Sequence, residues 1–345
     1  MNQKRMTNSD GCLWTFITIV ITVIGFGVIK SIIDLPDTFL LIFVIIFSLI
    51  LTSLFLGKPP LRMLFRHGIV LFIVFFGIKL LGGYLLNLIT NFEIDRPEFS
   101  SEETVTHDII LEANDTIAVF TSNRNWTDNY GNRFNGPLTV RQADYFSLKD
   151  QLKNYIPPPS GNFWGNLYQH LDTTDGPALD LVMKTFSDIN SAKQLNKMEF
   201  AEMVVSCIQD IPYSFVFQEE CLPADYYESS IRDILEKCPD CCVGNVLFGI
   251  QNPVSFIQSL KGDCDTRTAL IYSILNHFNY DVAILNSDFY KHSIIGINLP
   301  STGKSKLFRG KKYVVWETTA KYYQAGVLPS NFNNLTHWNI VLTSK

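Results

Sequence analysis

The sequence predicts an α+β protein that begins with three membrane-spanning helices. Roughly the first 90 residues are almost free of acidic groups and are dominated by Ile, Leu, Phe and Val. Farther along the chain, segments with a helical spacing of apolar residues come before runs of β-forming residues. Helices that precede an antiparallel set of strands are typical of α+β domains.

Three apolar runs, at residues 13–29, 39–56 and 69–89, are each close to the ~20 residues that cross a bilayer. No small-residue cleavage site follows the first run, which favours uncleaved helices over a signal peptide. Basic residues precede the first run and separate the second from the third, so the positive-inside rule places the N-terminus in the cytoplasm. We therefore expect residues 1–90 to form a membrane domain of a multi-pass membrane protein, with the C-terminal domain extracytoplasmic.

The rest of the chain is predicted to form a linker and a folded domain. Residues 91–160 are predicted to be an extracytoplasmic linker with short strands, because β-like apolar groups occur in 104–120 and a loop-like composition follows in 121–138. Consecutive prolines at 157–159 exclude a helix and mark the end of this linker. Residues 161–345 are predicted to be the α+β domain, with helices packed on an antiparallel sheet.

Within this domain, apolar residues recur at helical spacing in 179–189 and in 197–208. Pro212 is expected to end the second of these helices. A further helix is predicted to begin at Cys264. Strands are expected after it, at 281–285, around His292, around Glu317 after a hairpin at 300–312, and at 339–342.

A cysteine, a histidine and a carboxylate follow one another on these predicted elements. Cys264 stands after a glycine at the start of a helix, His292 lies on one strand and Glu317 on the next. This order is that of a nucleophile, a base and an orienting group in thiol-dependent acyl transfer. The helix N-terminus is expected to lower the pKa of the Cys264 thiol and to supply oxyanion donors. Asp263 and Asp265 are expected to cap the helix rather than to face the sulfur.

The segments that carry these residues resemble the transglutaminase-like superfamily. The similarity covers about residues 198–342 and lies in four short blocks: Val205 to Tyr213, Gly262-Asp263-Cys264-Asp265, His292-Ser293-Ile294-Ile295-Gly296 and Trp316-Glu317-Thr318-Thr319. It implies a papain-like core and a Cys-His-Asp triad that maps to Cys264, His292 and Glu317. Glu stands where the family usually has Asp, which keeps the charge and adds one methylene group.

Taken together, the predicted spans, the triad and the resemblance lead us to predict a membrane-anchored cysteine peptidase or amidase that acts on protein or peptide amides through a Cys-His-Glu triad. Two alternatives remain open: a cross-linking acyltransferase, which uses the same triad, and a non-catalytic binding or scaffold module. We predict no cofactor and no metal, since the calcium sites of animal cross-linking enzymes have no recognisable counterpart in the sequence. The net charge of −5 is mild, and no basic run suggests a nucleic-acid partner. The expected partner is a protein or peptide substrate.

Two residues upstream of Cys264 are candidates for the oxyanion hole or the cleft. Gln209 carries a side-chain amide of the kind that papain-like sites use to polarise a carbonyl, and a plain polar residue at a helix end is the alternative. Tyr213 is a candidate for lining the cleft.

Five cysteines besides Cys264 follow the predicted membrane part, and four of them are clustered: Cys221, Cys238, Cys241 and Cys242. Four thiolates with a C-x₂-C spacing can bind zinc. Outside the cytoplasm, two disulfides are favoured, and four cysteines allow three pairings. We expect disulfides that tie the long loop ahead of the Cys264 helix. Cys207 lies in an apolar helix and is expected to be buried and free.

Overall fold

The computed structural model describes residues 8–32, 37–57, 104–159 and 161–345. The chain divides into two units, Met1–Glu93 and Ile94–Lys345. The described part of the first unit consists of helices α1 (Asn8–Ile32) and α2 (Asp37–Leu56).

The prediction of membrane-spanning helices is wrong. Helices α1 and α2 coincide with the first two predicted spans, while the third, 69–89, lies outside the described residues. Among the residues that the structure describes, no helix is both long enough and apolar enough to cross a membrane. The same finding contradicts the predicted localisation as a multi-pass membrane protein.

The membrane prediction is wrong because an apolar run in the sequence does not identify what surrounds the helix. Such a run predicts burial, yet Phe43, Leu54 and Phe55 are 61, 75 and 80 % exposed in the structure, so the run alone does not show what covers the helix. Helices α1 and α2 pack on each other through buried hydroxyl groups, and the Thr18 hydroxyl donates to the Thr52 hydroxyl at 3.2 Å. These polar contacts lie inside the runs that the sequence presents as apolar.

The second unit starts with an antiparallel sheet of three strands, β1 (Thr106–Glu112), β2 (Asp115–Thr127) and β3 (Arg133–Arg141). Most of the stretch 121–138, which the sequence predicts as loop, lies in β2 and β3. Every second residue of β2 from Phe120 to Trp126 is buried, but two of them are Ser122 and Arg124. These polar residues hide the alternation that identifies a strand.

Seven helices of the second unit are described. The predicted segments 179–189 and 197–208 are helical, and the side chains of Asn196 and Glu199 form a capping box at the start of the second. In chain order the helices are α3 (Gln142–Lys153), α4 (Phe163–Asp175), α5 (Asp180–Lys193), α6 (Lys197–Gln209), α7 (Ser229–Lys237), α8 (Pro253–Ser259) and α9 (Cys264–His277).

Two short parallel strands, β4 (Phe215–Val216) and β5 (Cys242–Val243), enclose the cysteine-rich loop. The four clustered cysteines form two disulfides, Cys221–Cys242 and Cys238–Cys241. Disulfides persist in oxidising environments such as the extracellular space, and these two bonds point to such a compartment.

The chain ends in a five-stranded antiparallel sheet with the order β10-β6-β7-β9-β8. Its strands are β6 (Val282–Ser287), β7 (His292–Ile297), β8 (Ser305–Phe308), β9 (Lys311–Trp316) and β10 (Asn339–Thr343). Gly296 sits between neighbouring strands, where an added Cβ would lie 2.8 Å from Leu285 Cδ1 and 3.1 Å from Tyr313 Cβ. Helix α9 packs on β6 and β7, with Leu270 and Ile274 in the same core as Ile295 and Trp316.

Candidate active site

Helix α9 begins at Cys264 because the residue before it is a helix cap. The carboxylate of Asp263 accepts a hydrogen bond from the Thr266 amide at 3.1 Å, as predicted. Gly262 is required by close packing, since an added Cβ would lie 2.8 Å from Thr266 and 2.9 Å from Phe256. The thiol of Cys264 is thus placed at the first position of a well-defined helix.

A fully buried arginine holds this turn against the end of helix α6. The Arg267 guanidinium donates to the carbonyl of Gly262 at 2.9 Å and to that of Ile208 at 2.8 Å. It also donates to the carbonyls of Ile211 and Pro212, at 2.8 and 2.6 Å. One side chain therefore satisfies four carbonyls from two segments and fixes the backbone that precedes Cys264.

His292 and Glu317 meet at the end of the sheet. His292 Nε2 lies 3.0 and 3.2 Å from the two carboxylate oxygens of Glu317. Oε1 of Glu317 also accepts from the amides of Thr318 and Thr319, at 2.9 and 2.8 Å, and from the Thr319 hydroxyl at 2.6 Å. The longer side chain of Glu therefore reaches the imidazole, and its carboxylate is fixed by local donors.

Cys264, the third residue of the predicted triad, interacts with His292. Cys264 and His292 act on each other's pKa: the imidazole works to lower that of the thiol, and the charge of Cys264 helps to raise that of the imidazole. Cys264 is 6 % exposed, and Glu317 is 1 % exposed, so the three groups interact in a largely dry environment.

Charge is distributed unevenly over the three groups. Burial would raise the pKa of Glu317, but the charge and hydrogen bond of His292 and the donors of Thr319 outweigh it and lower the pKa to about 2. Burial would likewise lower the pKa of His292, but the charge of Glu317, followed by that of Cys264, raises it well above 6.5. The imidazole is therefore stabilised in its protonated, positively charged form.

The sequence predicts a lowered pKa for the Cys264 thiol, but in the structure this pKa is raised. Burial, followed by the charge of Asp265, raises the pKa of Cys264, and the opposing effect of His292 is smaller. Asp265 is not a cap: its Oδ1 accepts from the hydroxyls of Tyr168 and Ser293, both at 2.5 Å. The helix dipole acts on the thiol, but a carboxylate one residue away and the loss of water oppose it.

Gln209 and Tyr213, the candidates for the oxyanion hole or the cleft, have different surroundings in the structure. Both donors of the Gln209 side-chain amide are engaged, by the Glu317 carbonyl at 2.6 Å and the Tyr323 carbonyl at 3.1 Å. Gln209 is 1 % exposed and therefore holds the Glu317 segment rather than an oxyanion. Tyr213 is partly exposed, and the charges of Cys264 and Asp263 add to burial in raising the pKa of its hydroxyl. Its ring centroid lies 5.7 Å from the Arg267 guanidinium, and its hydroxyl keeps its proton.

Several residues of the site carry no clear signal in the sequence. Arg267 is one of 28 basic residues, and only its burial shows its role. Phe332 lies 40 residues beyond His292 in the chain, yet its ring stacks on the imidazole with centroids 4.9 Å apart. Thr268 joins the helix to the segment after β9, through a 3.0 Å hydrogen bond to Thr318.

Cys207, as expected, is buried and free. Within the described ranges, no group of three or more His, Cys, Asp or Glu side chains is arranged to hold a metal ion. No family model, no curated protein and no solved structure matches the chain. The site is therefore interpreted from its own geometry.

Proposed function

We propose that the chain is a thiol-dependent amide hydrolase, a cysteine peptidase or amidase, in which Cys264, His292 and Glu317 act as a triad. One observation carries this proposal: a single imidazole is paired at 3.0 Å with the buried carboxylate of Glu317, and it and the Cys264 thiol act on each other's pKa. A nucleophile, a base and an orienting acid are the parts that such chemistry requires. The resemblance of the surrounding segments to the transglutaminase-like superfamily supports the same reading.

The first half of the reaction forms a thioester. The Cys264 sulfur gives its proton to His292 and attacks the carbonyl carbon of the amide. The carbonyl oxygen becomes an oxyanion, for which the Cys264 backbone amide at the start of α9 is the nearest donor of the helix. As the C–N bond breaks, His292 returns the proton to the leaving nitrogen, and Glu317 keeps the ring in the orientation for both transfers.

The second half releases the acyl group to water. His292 takes a proton from the water molecule as its oxygen attacks the thioester carbon, and the C–S bond breaks. The carboxylic acid leaves, and the sulfur recovers a proton from His292. If an amine replaces water, the same residues transfer the acyl group instead of hydrolysing it.

Covalent labelling tests this proposal. A peptide with a thiol-reactive acyl group should label the wild-type protein, and Cys264→Ala should abolish labelling while the melting temperature stays close to that of the wild type. Cys207→Ala is the matched control, because Cys207 is a second free and buried cysteine. Equal labelling of the Cys264→Ala variant would remove this residue from the mechanism. Adding a labelled amine distinguishes hydrolysis from acyl transfer.

A second candidate is a non-catalytic binding module that keeps the fold without the reaction. The observation that favours it is the state of the thiol, which is 6 % exposed and has a raised pKa. A wild-type protein that folds but takes up no label over the pH range from neutral to alkaline would favour this second candidate.

A further inference from the structure

Four aromatic rings form a continuous row that begins at Tyr213, whose ring centroid lies 5.7 Å from the guanidinium of Arg267, three residues after Cys264. The rings of Tyr213 and Phe215 meet edge to face with centroids 5.3 Å apart. Phe215 and Phe217 are nearly parallel at 5.7 Å, and Phe217 and Tyr227 are nearly parallel at 5.1 Å. Alternate residues of an extended segment share one face, which is why the first three rings line up. We call Tyr213, Phe215, Phe217 and Tyr227 the aromatic row.

The aromatic row is joined to the turn that carries the thiol. The Ser214 amide donates to the Gly262 carbonyl at 3.3 Å, two residues before Cys264. Each ring of the row is partly exposed to solvent, unlike the fully buried aromatic side chains of the core such as Phe256. A ligand that lies on the row therefore approaches the sulfur at its Tyr213 end.

A disulfide holds the row in place. Phe215 pairs with Cys242 across the two parallel strands, and Cys242 is bonded to Cys221. The amide of Leu222, next to Cys221, donates to the Tyr227 hydroxyl at 2.9 Å. Phe215 and Tyr227 are thus both connected to the same covalent link. A surface that is ordered before binding loses less conformational entropy when a ligand arrives.

The loop that carries the outer end of the row is strongly acidic. Between residues 218 and 240 there are seven acidic and two basic side chains, and every one of the acids is exposed. One of the two bases, Arg232, donates to the carbonyls of Asp225 and Tyr227. The exposed acids are Glu219, Glu220, Asp225, Glu228, Asp233, Glu236 and Asp240.

We propose that the aromatic row and the acidic loop bind a cationic segment of a polypeptide substrate, with Lys or Arg side chains lying on the rings. This inference rests on the proposed function, because it places that segment next to the amide that Cys264 attacks. Lys and Arg are the side chains that both features favour: their cations are attracted to ring faces and to carboxylates. A neutral sugar gains nothing from the acids, and an acidic peptide is repelled by them.

Peptide binding to the full-length Cys264→Ala protein tests the proposal without turnover. Two fluorescent peptides share an amide-containing centre and differ only in carrying Lys or Glu at the flanking positions. Fluorescence anisotropy should show about tenfold tighter binding of the Lys peptide, as one cation–π contact and one screened ion pair together allow. The preference should shrink when the ionic strength rises from about 0.05 M to about 0.5 M.

Two variants locate the binding surface. Phe217→Leu removes one ring face, and Glu219→Gln with Glu220→Gln removes two charges; each should reduce the preference for the Lys peptide severalfold. The matched controls are Phe146→Leu, at an exposed ring outside the row, and Asp150→Asn, at an exposed acid outside the loop. These controls should bind both peptides as the parent protein does.

The outcomes separate this inference from the proposed function. Equal binding of the two peptides, no binding of either, or an unchanged preference in the Phe217→Leu and double Gln variants would overturn the cationic subsite. Absence of labelling at Cys264 in the wild-type protein, together with selective binding of the Lys peptide, would overturn the hydrolase and leave the binding surface standing.

Discussion

The sheet side of the candidate site stabilises a charged side chain, whereas its helix side disfavours one. On the sheet side, the carboxylate of Glu317 accepts from His292, from two backbone amides and from one hydroxyl, and its pKa falls to about 2. On the helix side, burial and the charge of Asp265 raise the pKa of Cys264. The acid and base are stabilised in their charged forms, while the nucleophile is held as a thiol.

Because of this difference, the attack of the Cys264 sulfur is the step that depends on pH. The Cys264–His292 pair must lose one of its two protons before the sulfur can attack, and the pKa values of both partners are raised. Because the two groups interact, their titration belongs to the pair. We therefore expect kcat/KM for an amide substrate to rise with pH above neutrality, where an unperturbed imidazole would already have lost its proton.

The largest effect is expected from removing the charge on the sheet side. Glu317→Gln keeps the shape of the side chain but removes the negative charge that orients His292 and raises its pKa. We expect kcat/KM to fall by about 100-fold or more, because the imidazole loses its preferred tautomer and orientation. Steady-state hydrolysis of a peptide amide measures this. Glu317→Asp is the matched control that retains the charge at a shorter reach, and an undiminished rate in Glu317→Gln would remove the acid from the triad.

The same substitution has a defined effect on stability. The pKa of Glu317 is lowered from 4.5 to about 2, so its stabilising effect is present above pH 4.5 and is lost as the pH falls toward 2. At neutral pH the difference corresponds to about 3 kcal/mol in the free energy of unfolding. The raised pKa of His292 acts in the other direction, since its contribution is present below pH 6.5 and is lost as the pH rises through the folded-state value. Urea unfolding of both proteins between pH 3 and pH 7 should show curves that converge at the acidic end.

A loss of stability of similar size, without the loss of the triad's charge, is expected from loosening the helix side. Arg267→Lys keeps a positive charge but cannot reach four carbonyls at once, because an ammonium group lacks the planar fork of a guanidinium. We expect a loss of about 3 kcal/mol in the free energy of unfolding, from buried carbonyls left without donors. Urea unfolding measures the change. Arg309→Lys, at an exposed arginine, should be nearly neutral, and equal stabilities for the two variants would show that the buried contacts of Arg267 contribute little.

Much of the second unit could be predicted from the sequence. The segments 179–189 and 197–208 have regular apolar spacing, and the strands around His292 and before Glu317 carry β-branched runs that the structure contains as β7 and β9. The second half of β2 lies in the stretch predicted as loop, because Ser122 and Arg124 occupy buried positions there. The membrane prediction failed because composition alone does not reveal what covers an apolar helix.

In the candidate site, too, features that depend on neighbouring residues could be predicted, and features that depend on distant residues could not. The cap by Asp263 follows from its position one residue before a helix, which is a local feature. The raised pKa of Cys264 depends on burial and on Asp265, whose orientation is set by Tyr168, almost 100 residues away in the chain. Contacts of this kind arise only when the chain is folded, and spacing along the sequence does not contain them.

The smallest effect concerns the charge beside the thiol, and Asp265→Asn isolates it. Both hydroxyl donors of Asp265 bind its Oδ1, so the carbonyl oxygen of Asn can accept the same two hydrogen bonds. Only the negative charge disappears, and the pKa of Cys264 should fall. Alkylation of the thiol at neutral pH should become up to about tenfold faster. Asp263→Asn should accelerate it less, because Asp263 contributes less to the raised pKa of Cys264. The opposite order would mean that the cap, rather than Asp265, controls the nucleophile.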